Sequence, residues 1–333
     1  MNIIKARIRE IILIAVILLV GVVTTIVEPR FLTVANISNI FFIASVMGIM
    51  SVGMTLIIAT GNIDVSVGSQ FYMISAITAY LCVAWGGLNI PYIIVIGIAV
   101  GFCVSTLNAV IISFLKLPAI VVTLAMMSVL RGIVLVATDG RMVNLAGPFT
   151  RISTTLIGPA RLPTVIWFIV SLIVFFLVYK VRFGREVLAV GSNLTAAERI
   201  GIDKRKIYII TFALSGVLTG IAAVFYTAMI GTMHASVGVG YELRLIAAVV
   251  IGGTAFAGGR ISLLGTFCGV VLMGVIDNTL TLMRVSMFWQ SMTVGAVLLI
   301  AVVSSGLTSN ETWRKERYKP EKTNVPGRGE KNA

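Results

Sequence analysis

One pattern repeats along this chain: apolar runs of roughly twenty residues, separated by short polar breaks. A run of that length crosses the ~30 Å hydrocarbon core of a bilayer as an α-helix. Lipid offers no partner for a backbone N–H or C=O, so such a chain must fold into spanning helices. Ten runs can be marked, at about 10–27, 38–60, 65–86, 91–115, 118–138, 163–180, 207–230, 243–258, 262–283 and 286–306. The eighth is short and glycine-rich and is expected to be broken or re-entrant. The expected fold is therefore all-α, a polytopic transmembrane helical bundle of about ten spans with some broken or short helices. Residues 1–308 form the membrane domain. Residues 309–333 form a basic tail, with Pro320, Pro326 and Gly327, expected to be cytoplasmic and partly disordered.

Composition excludes the other classes. Only 12% of the 333 residues are charged and 58% are hydrophobic, against about 25% charged in a soluble domain. Cys82, Cys103 and Cys268 lie inside apolar runs without CxxC spacing, and His234 is the single histidine. Neither a disulfide scaffold nor a His-rich metal site fits, and no cofactor is expected. The net charge of +13 is read as orientation bias rather than as a nucleic-acid surface, because the basic residues cluster where the positive-inside rule wants them. Lys5, Arg7 and Arg9 precede the first run, seven lie between Lys180 and Lys206, and seven from Arg314 onward. Six spans separate the stub from the 181–206 loop, and four more precede the tail. Both termini and that loop are thus expected on the cytoplasmic side. The first run follows a basic stub, as a signal peptide would, but no small-residue cleavage pattern follows it; it is read as a retained span.

The motifs of soluble chemistry are missing. No Gly-Lys dipeptide occurs, so there is no phosphate loop, and neither HExxH nor GxSxG is present. ATP, if it drives this protein, must be bound by another subunit. Polar residues inside the apolar pattern are the candidates for function. In Gly61-Asn62-Ile63-Asp64-Val65-Ser66-Val67-Gly68-Ser69, an amide, a carboxylate and hydroxyls sit between two strong runs. This is either a helix break at membrane depth, lined by Asn62, Asp64 and Ser66 for a hydroxylated solute, or a tight turn at the membrane surface. Asn108 lies in the fourth run, and Asp277 and Asn278 in the ninth. Asp277 is open to three roles: a structural partner for Arg131, Arg244 or Arg284, a residue lining a pathway, or a proton site. As titrating groups, Asp64 and Asp277 would suit a self-sufficient proton- or sodium-coupled secondary transporter.

The 181–206 loop is amphipathic. Thr195-Ala196-Ala197-Glu198 has the form of a helix start, and Gly201 is placed to stop that helix. Such a helix can dock into another protein or lie on lipid headgroups. The glycine pairs Gly97/Gly101, Gly216/Gly220 and Gly265/Gly269 are expected to let helices approach closely, within the chain rather than across a dimer seam.

Four stretches carry a resemblance that covers about 29–306. They are Asn62-Ile63-Asp64-Val65-Ser66-Val67-Gly68-Ser69; Asn108 with Leu115-Lys116-Leu117-Pro118-Ala119-Ile120-Val121-Val122-Thr123-Leu124; 189–202; and Ile251-Gly252-Gly253-Thr254 with Gly258-Gly259-Arg260 and Gly265-Thr266. Together they resemble the permease subunits of bacterial ATP-binding-cassette importers for simple sugars, the ribose-type family. Asn62 and Ala109 replace glycines of that pattern, and 62–68 and 282–289 look closer to its autoinducer-2/rhamnose branch, which leaves the sugar open. The resemblance implies an inner-membrane subunit that works with a second permease chain, a cytoplasmic ATPase and a periplasmic binding protein. By their polar chemistry within the apolar runs, Asn62, Asp64, Ser66, Asn108, Asp277 and Asn278 remain the pathway candidates, with the broken or short helices expected near that pathway. The resemblance implies that Gly191, Asn193, Ala196, Ala197, Gly201 and Ile202 form the coupling loop that the ATPase engages.

Overall fold

The computed structural model describes residues 3–86, 89–145 and 147–286, with isolated helical positions between 289 and 299; the side chains of 3–9 are outside the description. Most of the expected tenth span and all of the basic tail lie outside these residues.

Among the described residues the bundle is almost entirely helical. Eight helices among the described residues are long and apolar enough to cross a bilayer: α1 (Ile3–Val27), α2 (Val34–Ala59), α3 (Val67–Ala84), α4 (Ile90–Leu115), α5 (Ala119–Thr138), α7 (Leu162–Tyr179), α10 (Lys204–Ile230) and α12 (Leu263–Leu282). The short helices are α6 (Arg151–Thr154), α8 (Arg182–Ser192), α9 (Leu194–Arg199) and α11 (Tyr241–Ile251). Two-residue strands form two small antiparallel pairs: β1 (Val143–Asn144) with β4 (Thr232–Met233), and β2 (Leu156–Ile157) with β3 (Ala160–Arg161). Helix ends follow local chemistry. Pro29 follows α1, Thr33 caps α2 by accepting from the Asn36 N–H, Pro118 precedes α5, and Gly231 at φ +70° closes α10.

α2 is apolar all round and buried over most of its length, so it forms the centre of the bundle. α7, α10, α11 and α12 pack around it. Trp167 of α7 is buried against the bare backbone of Gly48, where no Cβ would fit beside the indole. α1 lies outside and exposes Ile11, Leu18, Leu19 and Ile26, as a lipid-facing helix does. The glycine pairs face each other within the chain. A Cβ on Gly220 would come within 2.7 Å of the Gly97 carbonyl, Gly101 abuts the Gly216 carbonyl, and Gly265 and Gly269 abut Gly252 and Ala248.

The eighth expected span, 243–258, differs most from a plain helix. Its helical part, α11, has 11 residues, about 17 Å of rise, too short to cross the membrane alone. The residues before it, 234–240, are irregular, with left-handed Gly238 (φ +74°) and Gly240 (φ +76°), and they pass into the bundle until Gly238 packs on Gly68 of α3. Val237 and Gly238 are buried while Ser236 and Val239 are exposed, and this irregular stretch leading into the short α11 is called here the re-entrant segment.

Candidate functional site

α2 ends at Ala59, and the chain turns back into the bundle rather than out of it. Asp64 is 1% exposed and Ser66 is fully buried. One Asp64 carboxylate oxygen accepts from the Ser66 N–H (2.9 Å) and from Ser66 Oγ (2.5 Å); the other accepts from Gln70 Nε2 (2.9 Å). Ser66 Oγ in turn accepts from Gln70 Nε2 (2.8 Å) and Asn108 Nδ2 (2.9 Å). Thr123 of α5 spans the same turn, accepting from the Val65 N–H (3.2 Å) and donating to the Ile63 carbonyl (3.3 Å). Asp64 thus starts α3 by an Asx turn, and the cluster joins α3, α4 and α5. Of the sequence candidates, Asp64, Ser66 and Asn108 come together here. Asn62 lies alongside, donating to Thr60 Oγ1 (2.9 Å).

Gln70 and Thr123 belong to this hydrogen-bonded cluster but were not singled out in the sequence. Gln70 stands four residues after Ser66, on the same helix face, a signal that can be read only once the start of α3 is known. Thr123 had no signal of its own beyond lying in the Pro118–Leu124 stretch.

The turn sits at the end of the molecule where α8 and α9 pack. Gly259 N–H donates to the Ala59 carbonyl (2.9 Å), Ser192 Oγ donates to the Gly259 carbonyl (3.4 Å), and the Gly191 backbone lies against both Ala59 and Gly259. A side chain at Gly191 has no room there. Asn193 caps α9 by accepting from the Ala196 N–H (3.0 Å), and Ala197 is buried beneath it. Gly201, at φ +82°, closes α9, with its N–H on the Glu198 carbonyl (3.0 Å) and the Ile202 N–H on the Ala197 carbonyl (3.1 Å). Ala196 and Ile200 face outward, Ile200 with 74% of its surface exposed. A rigid helical elbow with an apolar tip is therefore fixed directly to the end of α2, a few residues from Asp64.

Asp277 and Asn278 lie apart from this cluster. Three consecutive α12 residues each bind a different helix. Asp277 pairs with Arg244 of α11 (2.8 Å), Asn278 exchanges amide bonds with Asn36 of α2 (2.9 Å each way), and Thr279 meets Thr24 of α1 (3.0 Å). Of the three arginines considered for Asp277, Arg244 is the partner. Arg131 instead donates to the carbonyls of Ala235 (3.1 Å) and Val237 (3.2 Å) in the re-entrant segment and lies over the Tyr72 ring. Glu242, the acid in the first turn of α11, sits against Gly68 within electrostatic reach of Arg131. An isolated acid beside a glycine-rich stretch was the available signal for it.

Comparison with known proteins places this architecture. The profile of a family described as "Branched-chain amino acid transport system / permease component" matches residues 36–302. The ribose import permease protein of Escherichia coli K12 is 36% identical over 301 residues, covering 87% of this chain and 91% of the relative. The ribose import permease protein of Bacillus subtilis is 33% identical, covering 85% and 88%. The autoinducer 2 import system permease protein of Escherichia coli O157:H7 is 31% identical, covering 90% and 87%. No solved structure matches the chain.

Proposed function

From the premise that this chain belongs to the permease components of the branched-chain amino acid transport type, we propose that it is the membrane-spanning subunit of an ATP-driven importer for a simple sugar or sugar-like solute. The chain is a transport subunit without an ATP site of its own, and the ATPase is a separate chain. The observation that carries the solute class is the similarity to ribose import permeases along 87% of the chain. The family description names branched-chain amino acids, but relatives named for ribose and autoinducer 2 match along most of their own lengths.

In this reading the complex sits in the bacterial inner membrane, with both termini and the α8–α9 elbow in the cytoplasm. A second permease chain completes the pathway, and a periplasmic binding protein delivers the solute to the opposite face. The ATPase engages residues 191–202. The elbow supports that role: its outer surface carries Ala196 and Ile200, and its inner surface touches Ala59 and Gly259. A push on the elbow is carried through the end of α2 to the Asp64 cluster, where hydroxyls and amides surround the start of α3. Asp277 and Asn278 brace the bundle at a distance from that cluster. The secondary-transport alternative is less well supported, because Asp277 is committed to Arg244 and Asp64 to three donors.

Ala196→Arg tests the elbow. Ala196 is exposed and helical, so arginine changes the docking surface without straining the fold. The expected result is normal membrane insertion, no co-purifying ATPase and loss of ATP-dependent ribose uptake in proteoliposomes. Uptake and co-purification at the unsubstituted level would count against docking there.

A further inference from the structure

Arg131 is the single charged residue of α5, the thirteenth of its 20 residues. Its position is costly in an apolar helix and calls for a partner. Its hydrogen-bond partner is not Asp277 but the irregular 234–240 segment, whose Ala235 and Val237 carbonyls accept from it, while the Tyr72 ring of α3 lies beneath it and Glu242 of α11 is within electrostatic reach. A guanidinium meets two such carbonyls with separate prongs of one planar fork, which an ammonium cannot do.

The end of the segment and the start of α11, into which it leads, are held at other points. Gly238 packs on Gly68, Tyr241 stacks on Phe71 at 5.1 Å, and Arg244 pairs with Asp277. The outer surface of α5, including Val121, Leu124, Ile133 and Val136, is exposed, and its packing within the chain is against α3 and α4. Two polar fasteners hold it across the bundle: Thr123 on the Asp64 turn, and Arg131 on the re-entrant segment.

We propose that Arg131 is a positioning residue that latches α5 to the re-entrant segment, and that transport requires this latch to open. The segment is then a fixed wall and α5 the leaf that moves against it. The second half rests on the importer reading; the latch itself does not.

Hydrogen exchange, measured on the purified full-length chain in lipid nanodiscs, tests the latch without any solute or partner. In Arg131→Met, amides of 232–240 are expected to exchange at least about tenfold faster, while α3, α10 and α12 keep their protection. Arg131→Lys is expected to recover part of the protection, because it keeps the charge and loses the fork. Unchanged exchange in Arg131→Met overturns the latch. So does loss of protection spread through α3 and α10, which would make Arg131 a support for the whole fold. The second readout is ATP hydrolysis by the co-purified complex without binding protein. A rise of several-fold in Arg131→Met, partly reversed in Arg131→Lys, is expected if latch opening is a step of the cycle; unchanged hydrolysis overturns that step. If no ATPase co-purifies with the unsubstituted chain, the importer reading fails, and the exchange experiment still decides the latch.

Discussion

Asp64 accepts three hydrogen bonds in a place water does not reach. Removing the acceptor leaves the Ser66 N–H and hydroxyl without an acceptor, and the Gln70 amide with only its bond to Ser66 Oγ, at about 1–3 kcal/mol for each group left unpaired. Asp64→Leu should therefore lower the unfolding temperature of the purified chain strongly. Asp64→Asn should lower it less, because one oxygen can still accept from Ser66. Thermal unfolding in mild detergent reads the order, and equal midpoints for the two variants would contradict it. At this scale the sequence was a good guide to which residues are unusual and a poor one to their partners. Asp64, Ser66 and Asn108 stand out as polar groups among apolar ones. Their meeting depends on how three helices start and cross, which residue type alone does not encode. Asp277 stood out equally, and only the structure joined it to Arg244 rather than to Arg131 or Arg284.

Among the helices, glycine sets how closely two backbones approach. Gly101 on α4 meets the Gly216 carbonyl of α10, whereas Gly132 on α5 has nothing within 4 Å of where a Cβ would stand. Gly101→Leu is expected to force α4 from α10 and destabilise the chain by several kcal/mol, of the order seen when a packed core is overfilled or opened. Gly132→Ala is expected to be neutral or to stabilise by up to about 1 kcal/mol through helix propensity. Guanidinium-free unfolding assays in detergent, with both variants side by side, check the contrast; a destabilised Gly132→Ala together with a tolerated Gly101→Leu would refute it. The spacing of four between small residues was readable in the sequence, and so was the stop at Gly201. The course of the eighth segment was readable only in part. Its brevity and glycine content marked a broken helix, but residues 234–240 look like an ordinary external turn until Gly238 is found against Gly68.

For the molecule as a whole, the periodic apolar runs made the helical bundle legible from the outset, because lipid leaves the backbone no other solution. Partner surfaces were less legible, since the features that define them are exposures, such as that of Ile200, which exist only after folding. The orientation proposed from the charge distribution is directly measurable. In a background lacking Cys82, Cys103 and Cys268, a membrane-impermeant maleimide added to intact spheroplasts should label Gly158→Cys. Ala196→Cys should be labelled only after the membrane is opened. The reverse pattern would invert the proposed sidedness and move the elbow away from any cytoplasmic ATPase.

The three α12 residues that reach three other helices also set a schedule for biogenesis. Asn36 and its partner Asn278 are 242 residues apart in the chain. At roughly 5–20 residues per second, a ribosome takes on the order of 10–50 s to make the stretch between them. Throughout that interval Asn36 lacks the Asn278 amide with which it exchanges bonds in the finished fold, and Arg244, once made, likewise waits for Asp277. A chain whose synthesis stops before α12 therefore leaves the polar groups of three helices without the partners that the finished fold gives them.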